Sequence, residues 1–199
     1  MEMRDFVVRF AGEGGQGVVT SAEGLAQAAT QVGYHALTFA TFPSQILGGP
    51  TWTQARIAVD AILSPGDDVD VLVAFNQDAY DEHNSEVRDE GVIIFNSNEF
   101  QLEGDSRGFG LPFDELARST GNNRAANMVI IGALAHLVDM PQRYLEEFVS
   151  KRFTRGRSGD EEIIRSNIEA MTLGRDHISE SDLALGALAA PNPPDFAQI

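Results

Sequence analysis

The sequence predicts an α/β fold: a Rossmann-like three-layer domain with a mostly parallel sheet and a helical C-terminal segment. Three observations carry that prediction. Short apolar runs alternate with a helix-period segment early in the chain, a glycine-rich turn joins the first run to the first helix, and the apolar spacing is helical almost throughout from Pro112 onward. At 199 residues with 43% apolar side chains, the chain can bury one real core.

Taken in order, Phe6 to Ala11 is an apolar run that ends in glycines, and Val18 to Val32 then carries apolar residues at helical spacing until Gly33 stops it. Ala36 to Ala40 reads as a second buried strand, which completes a βαβ unit and predicts a parallel sheet with a right-handed crossover. Thr41 to Pro50 is too rich in proline and glycine for regular structure and is expected as a loop. Thr51 to Val59 alternates as a strand, Ser64 to Asp68 is a turn, and Val69 to Phe75 is a strongly buried strand. Asp78 to Val87 is expected to be helical, and Gly91 to Phe95 is another core strand. Phe100 to Gly110 has no clear period and is expected to be loop or edge structure. Four helices follow at 113–120, 123–138, 142–153 and 161–173. Ser181 to Ala190 reads as a short helix broken by Pro191-Asn192-Pro193-Pro194, and the last nine residues, 191–199, are expected as an unpacked tail. Gly132-Ala133-Leu134-Ala135 and Gly186-Ala187-Leu188-Ala189 repeat a tetrapeptide, which small residues on packed helices explain better than duplication does.

Composition removes several function classes. With no cysteine, the chain has no disulfide, no thiolate nucleophile and no cysteine-ligated cluster, so any redox centre must belong to another chain. No apolar stretch is long enough to span a bilayer and the start has no signal-peptide pattern, so a cytoplasmic location without membrane contact is expected. A net charge of -16, with Lys151 the only lysine, argues against nucleic acid as a partner. His35, His83, His136 and His177 lack metal-ligand spacing and are expected at the surface or its boundary; no metal site is expected. No nucleophile elbow or Walker lysine occurs, so no self-contained catalytic residue is assigned.

Gly12, Gly14 and Gly17 satisfy Gly-x-Gly-x-x-Gly between a strand and a helix, where bare N–H groups and the helix dipole hold anions. Binding of NAD further requires an acidic residue at the end of the second strand. Thr38-Phe39-Ala40-Thr41 stands there instead, so a phosphate or carboxylate of another ligand, or simple close helix–strand packing, remains. Glu13 would repel a phosphate unless it faces outward. The candidate binding residues are Gly12, Gly14, Gly15, Gln16 and Gly17 of this loop, Pro43, Ser44, Gly48 and Gly49 of a second loop on the same carboxyl edge, and Asn76 after the buried strand. Turn capping is an equal reading for Asn76.

Ala11 to Val18, Phe42 to Thr51, Val71 to Asn76, and Asn122 to Ala133 with Asn127-Met128 together resemble the gamma subunit or domain of 2-oxoacid (pyruvate and 2-oxoglutarate):ferredoxin oxidoreductases, over roughly Val7 to Gly174. Thr41-Phe42-Pro43-Ser44-Gln45 is most similar to forms in which gamma and alpha portions are fused and the substrate is often 2-oxoglutarate. The resemblance implies a non-autonomous subunit of an oxidoreductase. A 2-oxoacid is decarboxylated on thiamine diphosphate, iron–sulfur clusters pass the electrons to ferredoxin, and coenzyme A takes the acyl group. Thiamine diphosphate, magnesium and the clusters then belong to the alpha, beta and other partner chains: Gly66-Asp67-Asp68 lacks the third residue of the thiamine Gly-Asp-Gly motif. Packing against those subunits and part of the coenzyme A site remain for this chain. The alternative is a stand-alone coenzyme A or nucleotide-binding module without catalysis. Residues 1–177 form the expected gamma-type domain, and 178–199 resemble a truncated start of an alpha domain, with Pro191 to Ile199 departing from that pattern.

Overall fold

The computed structural model describes residues 2–42 and 49–191. A six-stranded sheet in the order β2-β3-β1-β4-β5-β6 organises the chain. Its strands are β1 (Asp5–Glu13), β2 (His35–Thr41), β3 (Pro50–Ala58), β4 (Val69–Ala74), β5 (Val87–Asn96) and β6 (Gly108–Leu111). The helices are α1 (Val18–Val32), α2 (Gln77–His83), α3 (Phe113–Ser119), α4 (Ala126–Leu137), α5 (Gln142–Phe153) and α6 (Asp160–Ser179). β1, β4, β5 and β6 are parallel neighbours, and β4 is buried along its whole length. That is why Val69 to Ala74 reads as a continuous apolar run rather than an alternating one.

The βαβ expectation needs one correction. β1 and β2 run the same way, because both are antiparallel to β3, but β3 lies between them. β2 is therefore the edge of the sheet, and none of its residues is fully buried. An apolar run flanked by turns does not reveal how many of its sides are paired.

Alternate residues of β1 serve different layers. Phe6, Val8 and Phe10 enter the larger core with α1 and α4, and with Phe148 and Val149 of α5 and Ala170 and Met171 of α6. Ala11 joins Leu72, Ala74, Ala79 and Ile93 in the smaller core on the opposite face, beneath α2. Gly33 ends α1 at φ 107°, donating its N–H to Ala29 and Thr30 carbonyls, a conformation that suits a residue without Cβ.

Other boundaries shift modestly. The second helix stops at His83, a 3-10 turn covers Asn84–Glu86, and Val87 already belongs to β5. Ser181 to Ala190 is not helical. There the Leu185 and Leu188 N–H groups bond to Leu137 O and Val138 O at 3.0 Å each, and Ala189 N–H bonds to Met3 O at 2.7 Å. Leu188 and Ala189 are buried by this extended path. Of the repeated tetrapeptides, only Gly132 to Ala135 lies on a packed helix. Of the expected unpacked tail, the last nine residues, Pro191 packs with its side chain 3.6 Å from the Cβ position of Gly33, and 192–199 lie outside the described residues.

Candidate functional site

The first glycine loop leaves the end of β1 and enters α1, and each glycine in it meets a different constraint. A Cβ on Gly12 would lie 2.6 Å from Gln16 Oε1 and 2.8 Å from Phe75 Cβ, so close approach excludes any side chain. Gly15 and Gly17 have φ of 101° and 97°, the left-handed region that disfavours other residues. Gln16 closes the loop on itself: its Oε1 accepts from Glu13 N–H at 2.6 Å and from Asn76 Nδ2 at 3.3 Å.

Gly17 caps α1 without a side-chain hydrogen bond, and the first intrahelical bond runs from Ser21 N–H to Gly17 O at 2.9 Å. Among the described residues, no acceptor meets the N–H groups of Gly15, Gly17, Val18, Val19 or Thr20. They border a cavity of about 230 Å³ lined by Glu13, Gly14, Gly15, Gly17, Val18, Val19, Thr20 and Thr51. Unfilled N–H groups at the positive end of a helix suit a single phosphate or carboxylate.

The second loop meets the first, since Gly14 N–H bonds to Gly49 O at 3.3 Å. Pro43, Ser44 and Gly48 fall outside the described residues. Asn76 caps α2 by accepting Ala79 N–H at 2.9 Å through Oδ1 and supports Gln16 through its amide. Beside it a second cavity of about 180 Å³ is lined by Gly12, Glu13, Gly49, Thr51, Asn76, Asp78, Glu82 and His83, among others. Its three carboxylates repel phosphate, so the two cavities differ in what they accept. Glu13 borders both and is exposed.

One cluster was missed from sequence. His83 is buried rather than superficial, and Arg9 beneath it is 5% exposed. Arg9 bonds to Gln54 Oε1 at 2.8 and 3.2 Å, pairs with Glu86, approaches His83 Nδ1 at 3.3 Å, and lies 4.4 Å from the Trp52 ring centre. Burial raises the Glu86 carboxyl, but hydrogen bonds from His83 and Arg9 outweigh it and hold the group below its usual range. The available signal was a single arginine inside the apolar run Phe6 to Ala11.

No Lys or Arg lines either cavity of the loop region, and among the described residues no cluster of His, Cys, Asp or Glu could hold a metal ion. Likewise, no described helix is long and apolar enough to cross a membrane.

Comparison with known proteins gives one family: the model for pyruvate ferredoxin/flavodoxin oxidoreductase matches residues 7–177. Ketoisovalerate oxidoreductase subunit VorA of Methanothermobacter marburgensis is 33% identical over 180 residues, 88% of this chain but 37% of that protein. The 2-oxoglutarate synthase subunit KorC of Archaeoglobus fulgidus is 30% identical over 86% of this chain and 87% of its own length. A structure of 2-oxoglutarate:ferredoxin oxidoreductase from Magnetococcus marinus, with 2-oxoglutarate, coenzyme A and succinyl-CoA bound, superposes with TM-score 0.83 at 28% identity. It covers 96% of this chain and 34% of that one. The keto/oxoacid ferredoxin oxidoreductase gamma subunit from Geobacter sulfurreducens shares the fold at TM-score 0.75 and 21% identity, over 89% of this chain and 98% of its own. The chain thus spans little more than a third of VorA and of the Magnetococcus chain.

Proposed function

Because this chain belongs to the pyruvate ferredoxin/flavodoxin oxidoreductase family, we propose that it is the gamma portion of a cytoplasmic 2-oxoacid:ferredoxin oxidoreductase, built with alpha and beta chains and delivering electrons to ferredoxin. In this reading residues 1–177 are the gamma-type domain and 178–199 the start of an alpha portion. Thiamine diphosphate, magnesium and iron–sulfur clusters are the partners' equipment; a chain without cysteine has no cluster ligand to offer.

The observation that carries the proposal is the open glycine loop. Its free N–H groups at Gly15, Gly17, Val18, Val19 and Thr20 fit one phosphate of coenzyme A. The absence of Lys and Arg from the lining leaves the other phosphates to cations of a partner. Gly12, Gly14, Gln16, Gly17, Gly49 and Asn76 shape that loop, and Pro43, Ser44 and Gly48 are proposed to continue its rim. Coenzyme A supplies the thiol that accepts the acyl group; this chain binds and orients its phosphate end.

Reconstitution with the thiamine-bearing chains tests this reading. Ferredoxin reduction by a 2-oxoacid is expected only when this chain is present. Thr20→Asp, which puts a carboxylate on the exposed lining of the cavity and leaves the left-handed glycines untouched, is expected to raise KM for coenzyme A about tenfold with kcat little changed. Full activity without this chain would remove the assignment, and an unchanged KM would remove the loop from the site.

The same free N–H groups favour a second reading, a coenzyme A or nucleotide-binding module without catalysis. Titration calorimetry on the isolated chain separates the two: micromolar binding without any partner supports the module.

A further inference from the structure

Between Gly24 and Val59 the sequence contains no Asp or Glu, although the chain carries 30 of them. The fold gathers this stretch on one flank, formed by the later turns of α1, the edge strand β2, and β3. β2 lacks three of the devices that protect sheet edges: it contains no proline, no lysine and no break in its register with β3. Among the described residues, no strand pairs with its outer side.

One face of the flank also carries the apolar side chains Leu37, Phe39 and Trp52, with Arg56 among them paired to Asp5. The β2–β3 register sets Leu37, Phe39 and Thr41 opposite Arg56, Gln54 and Trp52, on the side away from α1. α2 packs on β1 and β4 and meets this face at one end, where His83 stands edge-on to Trp52 with ring centres 5.9 Å apart. Phe39 is 47% exposed, and its ring centre lies 5.6 Å from that of Trp52. Obligate interfaces have this character, apolar and poor in charge, whereas the rest of a molecule with net charge -16 does not.

We propose that this flank seats the alpha portion of the oxidoreductase, which adds an uncharged extended segment alongside β2 and lays alternate apolar side chains on Leu37, Phe39 and Trp52. The inference rests on the functional reading above. Two observations select this occupant. The side chain of Pro191 comes within 3.6 Å of the Cβ position of Gly33, two residues before β2 begins, so chain continuing from there starts at the root of the open edge. Moreover, the module recurs within a much longer polypeptide in VorA, of which this chain spans 37%, and nearly alone in KorC, of which it spans 87%. A docking surface that holds with or without a covalent link serves both arrangements.

The test uses the complex purified through a tag on the alpha chain, with wild type, Phe39→Glu and Ile163→Glu compared. Ile163 is similarly exposed but lies on α6. Phe39→Glu is expected to lower co-purification about tenfold and Ile163→Glu to leave it unchanged. In the wild-type complex, amide exchange across residues 35–41 is expected to slow about tenfold relative to the isolated chain. That measurement needs no variant, so misfolding cannot mimic it. Wild-type capture of Phe39→Glu, or unchanged exchange in β2, overturns the docking surface and leaves the functional reading intact. Failure of the wild type to co-purify overturns both. An isolated dimer that Phe39→Glu converts to monomer without loss of capture assigns the edge to a second copy and also overturns the proposal.

Discussion

Arg9 stands on β1 at the boundary between packing and electrostatics. Its guanidinium is satisfied by Gln54, Glu86 and the Trp52 face, so burial leaves it without a missing partner. Arg9→Met keeps the stem and removes the charge, leaving Gln54 Oε1 without its donor inside the fold. A loss of about 2–3 kcal/mol in urea unfolding is expected, below the full value for a broken buried pair because Glu86 is partly solvated. Asp105 gives a pH-dependent counterpart. Hydrogen bonds from the Arg107 side chain, against the opposing effect of burial and with help from the Arg107 N–H and the Tyr80 hydroxyl, pull its pKa down to about 2. A carboxyl lowered in the folded state stabilises the protein above its unfolded value of about 4, and the contribution disappears as pH falls toward 2. Asp105→Asn is therefore expected to cost about 1–2 kcal/mol at pH 7 and almost nothing at pH 2, as read from urea midpoints across that range.

Among the elements, the α4–α6 pair is the tightest seam. A Cβ on Gly132 would lie 1.9 Å from Met171 O, and one on Gly174 would lie 2.0 Å from Val129 O, so the two backbones approach through reciprocal glycines. Gly132→Ala raises helix propensity, yet it is expected to lower the thermal midpoint by the equivalent of about 3 kcal/mol, because a backbone and not a side chain must move. A rise in the midpoint would show that the helices can separate without cost. This scale also shows what sequence can convey. Strands such as Val69 to Ala74 and helices such as α5 were legible because periodicity and burial are local properties. The insertion of β3 between β1 and β2 was not, since pairing partners leave no mark on either strand alone. Ser181 to Ala190 has helix-forming residues, but its N–H groups found Leu137, Val138 and Met3 carbonyls instead, a tertiary choice that propensity does not foresee. At the site, Gly12 to Gly17 could be read because strand, turn and helix are contiguous; Arg9 with Gln54, His83 and Glu86 could not, because the cluster joins three distant segments.

For the whole molecule, charge and topology set behaviour that no single contact explains. A net charge of -16 on 199 residues repels itself, and many of its carboxylates face solvent. Raising sodium chloride from about 0.1 M to about 1 M shortens the screening length from about 10 to about 3 Å, and a higher melting temperature is expected by scanning calorimetry. A flat or falling midpoint would mean that ion pairs such as Arg88 with Asp70 matter more than the surplus. The sheet order bears on folding as well. β1 neighbours only β3 and β4, neither of which is the next strand made. As the chain leaves the ribosome, the apolar segment Phe6 to Ala11 must wait unpaired until residues beyond Pro50 emerge, and β2 has no strand to join until that same segment arrives. Synthesis therefore passes through an interval in which two strands are exposed and neither can pair natively, and that interval is when the nascent chain most needs a chaperone.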